Sequence, residues 1–330
     1  MNDENIMLSI KILAYNHEKY ISKCIDSILS QKTEYAYEIL IGEDCSSDGT
    51  KRIIEEYEKK YPDIIKVIYH EKNCGCTKNA YALDVKARGK YLAGCEGDDY
   101  WCDEYRIQKD VSYLEKNPQY VGVCHKVNVV DGDDNPISLS DVSERVKFWY
   151  FEKEIYTLAD YESWRMPGHG CAMTTINFFR RDDCDYSIVY RASTRVADRT
   201  HLLICAIEGD IICDNDIVAT YRYVTTQNNY MSIQKKKNFK AEEYAMMLRL
   251  EEWAAQVKGK EIDLTYIKND RFVGAVTIWL RDRNSQNLSV VKEIIGMSHK
   301  KMLFVFYFFK IIITKLYFWK IKKTDSIIRL

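Results

Sequence analysis

The chain has 330 residues, 46% hydrophobic and 29% charged, with only 4 prolines and 14 glycines. Such a chain buries a substantial core, which excludes wholesale disorder, collagen-like repeats and a multi-span membrane protein. The formal net charge of −1 conceals an asymmetry: residues 299–330 carry eight Lys/Arg against one Asp, net +7, and the rest is net −8. An acidic body argues against nucleic acid as a partner, whereas a basic tail suits an anionic surface.

The N-terminus MNDENIMLSIKILAYN lacks a basic segment followed by an apolar one. With eleven cysteines in the chain, the expectation is a reducing, cytoplasmic setting without paired disulfides. Leu8–Ala14 reads as a β-strand, and Tyr20–Gln31 as a helix whose Ile21, Cys24, Ile25, Ile28 and Leu29 form one apolar stripe. Tyr37–Gly42 is a second strand ending in Glu43-Asp44-Cys45-Ser46-Ser47-Asp48-Gly49, with Asp48 placed to cap a helix over Thr50–Tyr61. Ile64–Tyr69 is a third strand, Asn79–Arg88 a third helix, and Lys90–Ala93 a fourth strand leading into Gly94-Cys95-Glu96-Gly97-Asp98-Asp99. The alternation predicts a largely parallel sheet flanked by helices, and its two acidic clusters are expected at one crevice beyond the carboxyl ends of the strands.

Residues 126–225 read less regularly, with a loop at Met166-Pro-Gly-His-Gly170 and a strand at Ile217–Tyr223. From Lys235 to about Met297 the pattern is helical. Met302–Trp319 is almost wholly apolar and aromatic and is flanked by lysines, but Lys310 and Lys315 inside it disfavour a membrane span. A helix lying on an anionic membrane surface is the expected form. The predicted organisation is thus 1–225 as one α/β domain (1–125 and 126–225 its halves), 226–298 as a helical extension and 299–330 as the tail.

Clustered carboxylates such as Glu96-Gly97-Asp98-Asp99 repel one another unless a cation neutralises them. Mg²⁺ and Mn²⁺ take oxygen ligands and are commonly held by one or two carboxylates together with substrate phosphates. The neighbours sharpen this reading. Ser9–Asn16, Ile39–Thr50, Asn73-Cys-Gly with Lys78-Asn79, and Gly89–Trp101 follow in the order and spacing of the PTYN, DDGSTDGT, NxGxxxxRN and DxDD patterns. In this the chain resembles the family 2 glycosyltransferases, whose members have the GT-A fold, over about residues 6–225. Leu13, Glu43, Lys78 and Glu96 depart from the family residues at their positions.

The resemblance implies residue roles. Tyr15 packs on the nucleotide base, Asp44 accepts a hydrogen bond from uracil, and Lys78 meets the diphosphate. Ala14, Asn16 and Asn79 fall in the same nucleotide-binding motifs, with Glu96 near ribose. Asp98 and Asp99 would hold Mn²⁺ or Mg²⁺. Asp198, ahead of a short apolar run, is the implied general base, with Asp182, Asp183 and Asp185 as alternatives. Trp101, His169, Tyr221 and Arg222 are expected around the donor and acceptor sugars, and Arg191, Arg195 and Arg199 at an anionic acceptor or on a solvated helix face. The expected function is inverting, metal-dependent transfer from a UDP-sugar to a hydroxyl of a lipid-linked glycan, in cell-surface polysaccharide synthesis at the inner face of the membrane. Two other classes are weaker. A nucleotidyltransferase calls for a Gly-rich loop that Ala14-Tyr-Asn-His-Glu18 lacks, and a membrane-attached signalling receiver domain would end near residue 125.

Overall fold

The computed structural model describes residues 6–138, 140–142, 153–181, 184–195, 197–224, 238–298, 304–306 and 308–309. Internal contacts divide the chain into two compact units, residues up to 224 with 256–260, and residues 225–255 with those from 261 onward.

The first unit is built on a nine-stranded sheet. Its first half runs β1 (Leu8–Ala14), α1 (Ile21–Leu29), β2 (Tyr37–Glu43), α2 (Thr50–Lys60), β3 (Ile65–Tyr69), α3 (Cys76–Asp84), β4 (Tyr91–Glu96), β5 (Tyr100–Trp101) and α4 (Arg106–Lys116). Then follow β6 (Tyr120–Val130), β7 (Ile155–Tyr156), α5 (Leu158–Glu162), β8 (Met173–Ile176), α6 (Ile188–Arg191), α7 (Asp198–Glu208) and β9 (Asp210–Arg222). The sheet order is β3-β2-β1-β4-β8-β6-β9-β5, with β7 beside β9. The first four strands are mutually parallel, β8 is antiparallel to both β4 and β6, and β6 is parallel to β9. One sheet therefore continues far beyond residue 125, where a receiver domain would stop.

Central β1 buries residues on both faces, as a strand covered by helices on either side must. Against it α1 turns Ile21, Cys24, Ile25 and Ile28, all fully buried. Registers pair Ala14 with Glu43 and Leu13 with Glu96, so β1, β2 and β4 end level and release their loops side by side. The main departures from the sequence reading are boundaries. Strand β4 continues through Glu96 because β1 pairs with it as far as Leu13. Helix α3 starts at Cys76, directly after Gly75, whose φ of +86° suits the lead-in to the helix. Strand β9 begins at Asp210, and β6 is a strand that the reading of 126–225 did not delimit.

Behind the sheet lies a buried polar cluster. Arg106 and Asp110 of α4 form an ion pair at 3.4 Å, and Asp110 also binds His125 (2.8 Å) and the Thr174 hydroxyl (2.7 Å). These hydrogen bonds and charges hold the Asp110 carboxyl below the usual range although burial opposes them. All eleven cysteines are described and none is disulfide-bonded.

In the second unit, α8 (Lys240–Val257), α9 (Thr265–Arg281) and α10 (Ser285–Met297) enclose a small core. Phe304 packs edge-on against Phe272, with ring centroids 4.6 Å apart, and Phe308 lies against Trp279 at 5.6 Å. The opening of the apolar tail thus belongs to this core, while Phe306 and Phe309 face outward. The remainder of Met302–Trp319 and the lysines that follow lie outside the described residues. Among the described residues no helix is long and apolar enough to cross a membrane.

Candidate functional site

The loops after β1 and β2 are latched together. Asn16, at φ +58°, accepts from the Ser47 backbone N–H (2.8 Å), and its own N–H donates to Ser46 Oγ (3.0 Å). Asp48 accepts from the N–H of Glu18 (3.1 Å) and of Thr50 (3.0 Å), so it serves the start of α2 from one position before the capping residue Gly49. The buried Asp44 donates its N–H to Ala14 O (3.0 Å), and its carboxylate accepts from the N–H groups of Cys74 (2.7 Å) and Gly75 (3.0 Å). Each carboxylate oxygen retains lone-pair capacity for a further donor. Tyr15, 46% exposed, stands beside this latch.

Lys78 is exposed on the first turn of α3, where helix-end N–H groups and a cation together favour an anion. Asn79 behaves differently from the expected nucleotide contact. It is buried, its Nδ2 donates to Gly42 O (2.9 Å), and its Oδ1 lies 3.1 Å from His70 Nε2. Its role in the structure is to brace β2 against α3.

The acidic turn closes on the next strand end. Gly97 donates to Leu13 O (2.9 Å), and a Cβ at this glycine would come within 2.5 Å of His17 Nδ1. One carboxylate oxygen each from Glu96, Asp98 and Asp99 lies within 4.8 Å of the others. Asp99 is buried; its Oδ1 accepts from the Arg222 N–H (2.8 Å), while Oδ2 has no hydrogen-bond partner among the described residues. Glu96 meets solvent on one side, yet the protein around it withholds hydration from its charge. That desolvation, with the charges of Asp98 and Asp198, pushes its carboxyl up to about 8. Burial first, then Asp98 and Glu96, raise Asp99 well above the carboxylate range. A buried orphan oxygen and mutually repelling carboxylates are the donor set that a hard divalent cation stabilises, so the residues present fit Mn²⁺ or Mg²⁺.

Arg222, expected at the sugar pocket, holds the turn instead. It is buried; Nε donates to Asp98 O (2.9 Å), Nη1 to Asp131 O (3.0 Å), and Nη2 pairs with Asp134 at 2.8 Å. Trp101 also departs from expectation: it is 4% exposed, lies in the hydrophobic core, and carries the Arg106 guanidinium 4.0 Å above its ring. His169 and Tyr221 do reach the turn. His169 Nδ1 lies 4.0 Å from Asp99 Oδ2, the Tyr221 ring stands 4.4 Å from the imidazole, and burial pushes His169 down to about 3, keeping it neutral.

Asp198 opens α7, is exposed, and accepts from the Arg199 N–H (2.8 Å). It is near enough to Glu96 and Cys76 to raise both electrostatically. The segment before it abuts α3, since Cys76 Sγ donates to Arg195 O at 3.3 Å. Of the alternative bases, Asp185 is engaged with Arg191 (2.7 Å) and the Ser187 N–H (2.8 Å), and Asp182 and Asp183 lie outside the described residues. Arg191 is thus paired, and Arg199 stacks 3.8 Å over Trp164. Sequence reading missed His17, whose Nε2 is 3.9 Å from Asp98 Oδ1; a histidine directly after the Tyr15-Asn16 motif was the available signal.

Comparison with known proteins bears on this arrangement. Residues 9–185 match the model of glycosyl transferase family 2. An uncharacterized protein of Mycobacterium tuberculosis is 40% identical over 126 residues, 38% of this chain and 36% of that protein. TuaG of Bacillus subtilis, a putative teichuronic acid biosynthesis glycosyltransferase, is 32% identical over 108 residues, 33% of this chain and 42% of that protein. The chain therefore spans well under half the length of these curated relatives. Among solved structures, S. aureus TarS 1-349 in complex with UDP-GlcNAc aligns with a TM-score of 0.59 at 16% identity, covering 88% of this chain and 81% of that one, which shows a shared fold.

Proposed function

Because the chain belongs to glycosyl transferase family 2 and has the GT-A fold, we propose that it is an inverting, divalent-metal-dependent enzyme moving a sugar from a UDP-sugar to a hydroxyl of a glycan acceptor. The observation that carries this reading is the carboxylate turn at the end of β4, with Asp98 and the orphan oxygen of Asp99 just after a strand that ends level with the latched loops carrying Tyr15 and Asp44, and with Glu96 within electrostatic reach of Asp198.

In this reading Asp98 and Asp99 hold Mn²⁺ or Mg²⁺, which would offset the negative charge of the donor diphosphate. Tyr15 offers its exposed ring to the base, and the Asp44 carboxylate accepts the uracil N–H. Lys78 and the α3 N-terminus meet the diphosphate as its bond to the anomeric carbon breaks. Asp198 takes the acceptor hydroxyl proton as that oxygen bonds to the same carbon from the opposite face. Arg222, through Asp98, Asp131 and Asp134, fixes the turn beforehand, so little reorganisation is left for the reaction itself. A panel of UDP-sugars and GDP-mannose, scored for binding and slow hydrolysis with and without Mn²⁺, tests the donor class. Metal-dependent turnover of a UDP-sugar is expected; exclusive use of GDP-mannose would refute the uridine assignment.

The same reading places the enzyme on an anionic membrane surface that presents a lipid-linked acceptor in cell-surface polysaccharide synthesis. Its support is the lysine-flanked apolar run Met302–Trp319, since each lysine near an anionic leaflet contributes about 1 kcal/mol. The full chain is expected to co-sediment with phosphatidylserine vesicles at low salt and to be released at high salt. Combining Lys320→Glu, Lys322→Glu and Lys323→Glu should weaken the association; retention of both variant and wild type at high salt would contradict surface docking.

A further inference from the structure

A second group of donors, of different chemical character from the acidic turn, gathers at the far side of the β2 loop. Asp44 after β2, His70 after β3 and Cys74 ahead of α3 each bring one donor atom, an oxygen, a nitrogen and a sulfur, within 4.8 Å of the others. The backbone N–H groups of Cys74 (2.7 Å) and Gly75 (3.0 Å) clamp the Asp44 carboxylate. The His70 N–H donates to Glu43 O (3.0 Å), which ties the imidazole to the same strand end.

The tautomer of His70 follows from its neighbour. Asn79 Nδ2 donates to Gly42 O (2.9 Å), so Asn79 Oδ1 is the amide acceptor, and His70 Nε2 at 3.1 Å from it must carry the proton. Nδ1 is then the basic nitrogen. A buried amide or carbonyl oxygen that fixes one imidazole nitrogen as donor is the outer-shell arrangement that supports zinc-ligating histidines. Sulfur, imidazole and carboxylate together match a borderline-soft ion, whereas the oxygen-only turn at Glu96, Asp98 and Asp99 suits a hard one. Donors around a tetrahedral Zn²⁺ stand about 3.3–3.8 Å apart, so the half-buried side chains of His70 and Cys74 have about an ångström to close.

We propose that Asp44, His70 and Cys74 form a second cation site, selective for a thiophilic divalent ion such as Zn²⁺, and that the bound ion excludes the nucleotide base from the Asp44 carboxylate. The exclusion rests on the role given to Asp44 under Proposed function; the cation site itself does not. On binding, the sulfur–metal bond replaces the Cys74 S–H bond and the proton passes to solvent, while water completes the coordination.

Titration of the full chain with Co²⁺, in place of spectroscopically silent Zn²⁺, tests the site. A thiolate-to-cobalt charge-transfer band is expected in the wild type, bleached by excess Zn²⁺. It should persist in Asp98→Ala, vanish in Cys74→Ser, and need at least about tenfold more Co²⁺ in His70→Ala. No band at saturating Co²⁺, or an unchanged band in Cys74→Ser, overturns the site. Added UDP should bleach the band. A band that survives while calorimetry shows UDP bound overturns the exclusion and leaves the cation site standing. Failure of UDP to bind the Co²⁺-free protein even with Mg²⁺ counts against the nucleotide reading alone.

Discussion

Asp98→Ala is expected to lower transfer by about 10²–10³-fold, the usual cost of removing one preorganised electrostatic partner of a developing charge. The side chain of Asp98 is 30% exposed, and among the described residues the nearest basic group to its carboxylate is His17 Nε2 at 3.9 Å, beyond hydrogen-bond distance. What holds the turn is its backbone, through Asp98 O to Arg222 and Gly97 N–H to Leu13. The variant should therefore melt near the wild-type temperature while losing metal-dependent affinity for UDP. Chelator should reproduce the loss in the wild type and add nothing further in the variant. Full activity of Asp98→Ala, or of the wild type in excess chelator, would remove the cation from the reading.

Asp198→Asn should lower transfer by roughly 10²–10⁴-fold, the range for deleting a positioned general base, with UDP affinity unchanged. Asn preserves volume and an acceptor for the Arg199 N–H, so α7 keeps its start. The split between turnover and nucleotide binding is diagnostic, because in the proposal Asp198 is assigned to the acceptor and the nucleotide to loops after β1, β2 and β4. Parallel loss of UDP binding, or normal transfer by the variant, would place the base elsewhere.

The first half of the fold was legible because parallel strands buried on both faces read as short apolar runs, and because α1 presents one continuous stripe. Strand β4 was cut short in the reading at Ala93: Gly94-Cys95-Glu96 carries a single apolar residue, Cys95, between a glycine and a carboxylate, and pairing with β1 supplies the order instead. Strand β6 carries no clean alternation: Val121, Gly122, Val123, Cys124 and His125 are all buried, its register with β9 shifts along its length, and His125 puts a polar residue in the buried run. Asp110, fifteen residues earlier on α4, makes its burial tolerable. Site residues divide in the same way. Tyr15, Asp44, Asp98 and Asp99 sit in local motifs at strand ends. The bracing duties of Asn79 and Arg222 depend on Gly42 and on Asp98, Asp131 and Asp134, partners that no local spacing reveals.

Arg222 ends β9 and secures a turn formed more than a hundred residues earlier. During synthesis the acidic loop therefore emerges long before its clamp, and until residue 222 has left the ribosome the carboxylates of Glu96, Asp98 and Asp99 lack the guanidinium that organises their backbone. The cation affinity proposed for this turn would in this sense be a late product of translation, and a nascent chain stopped before β9 carries the motif without its clamp.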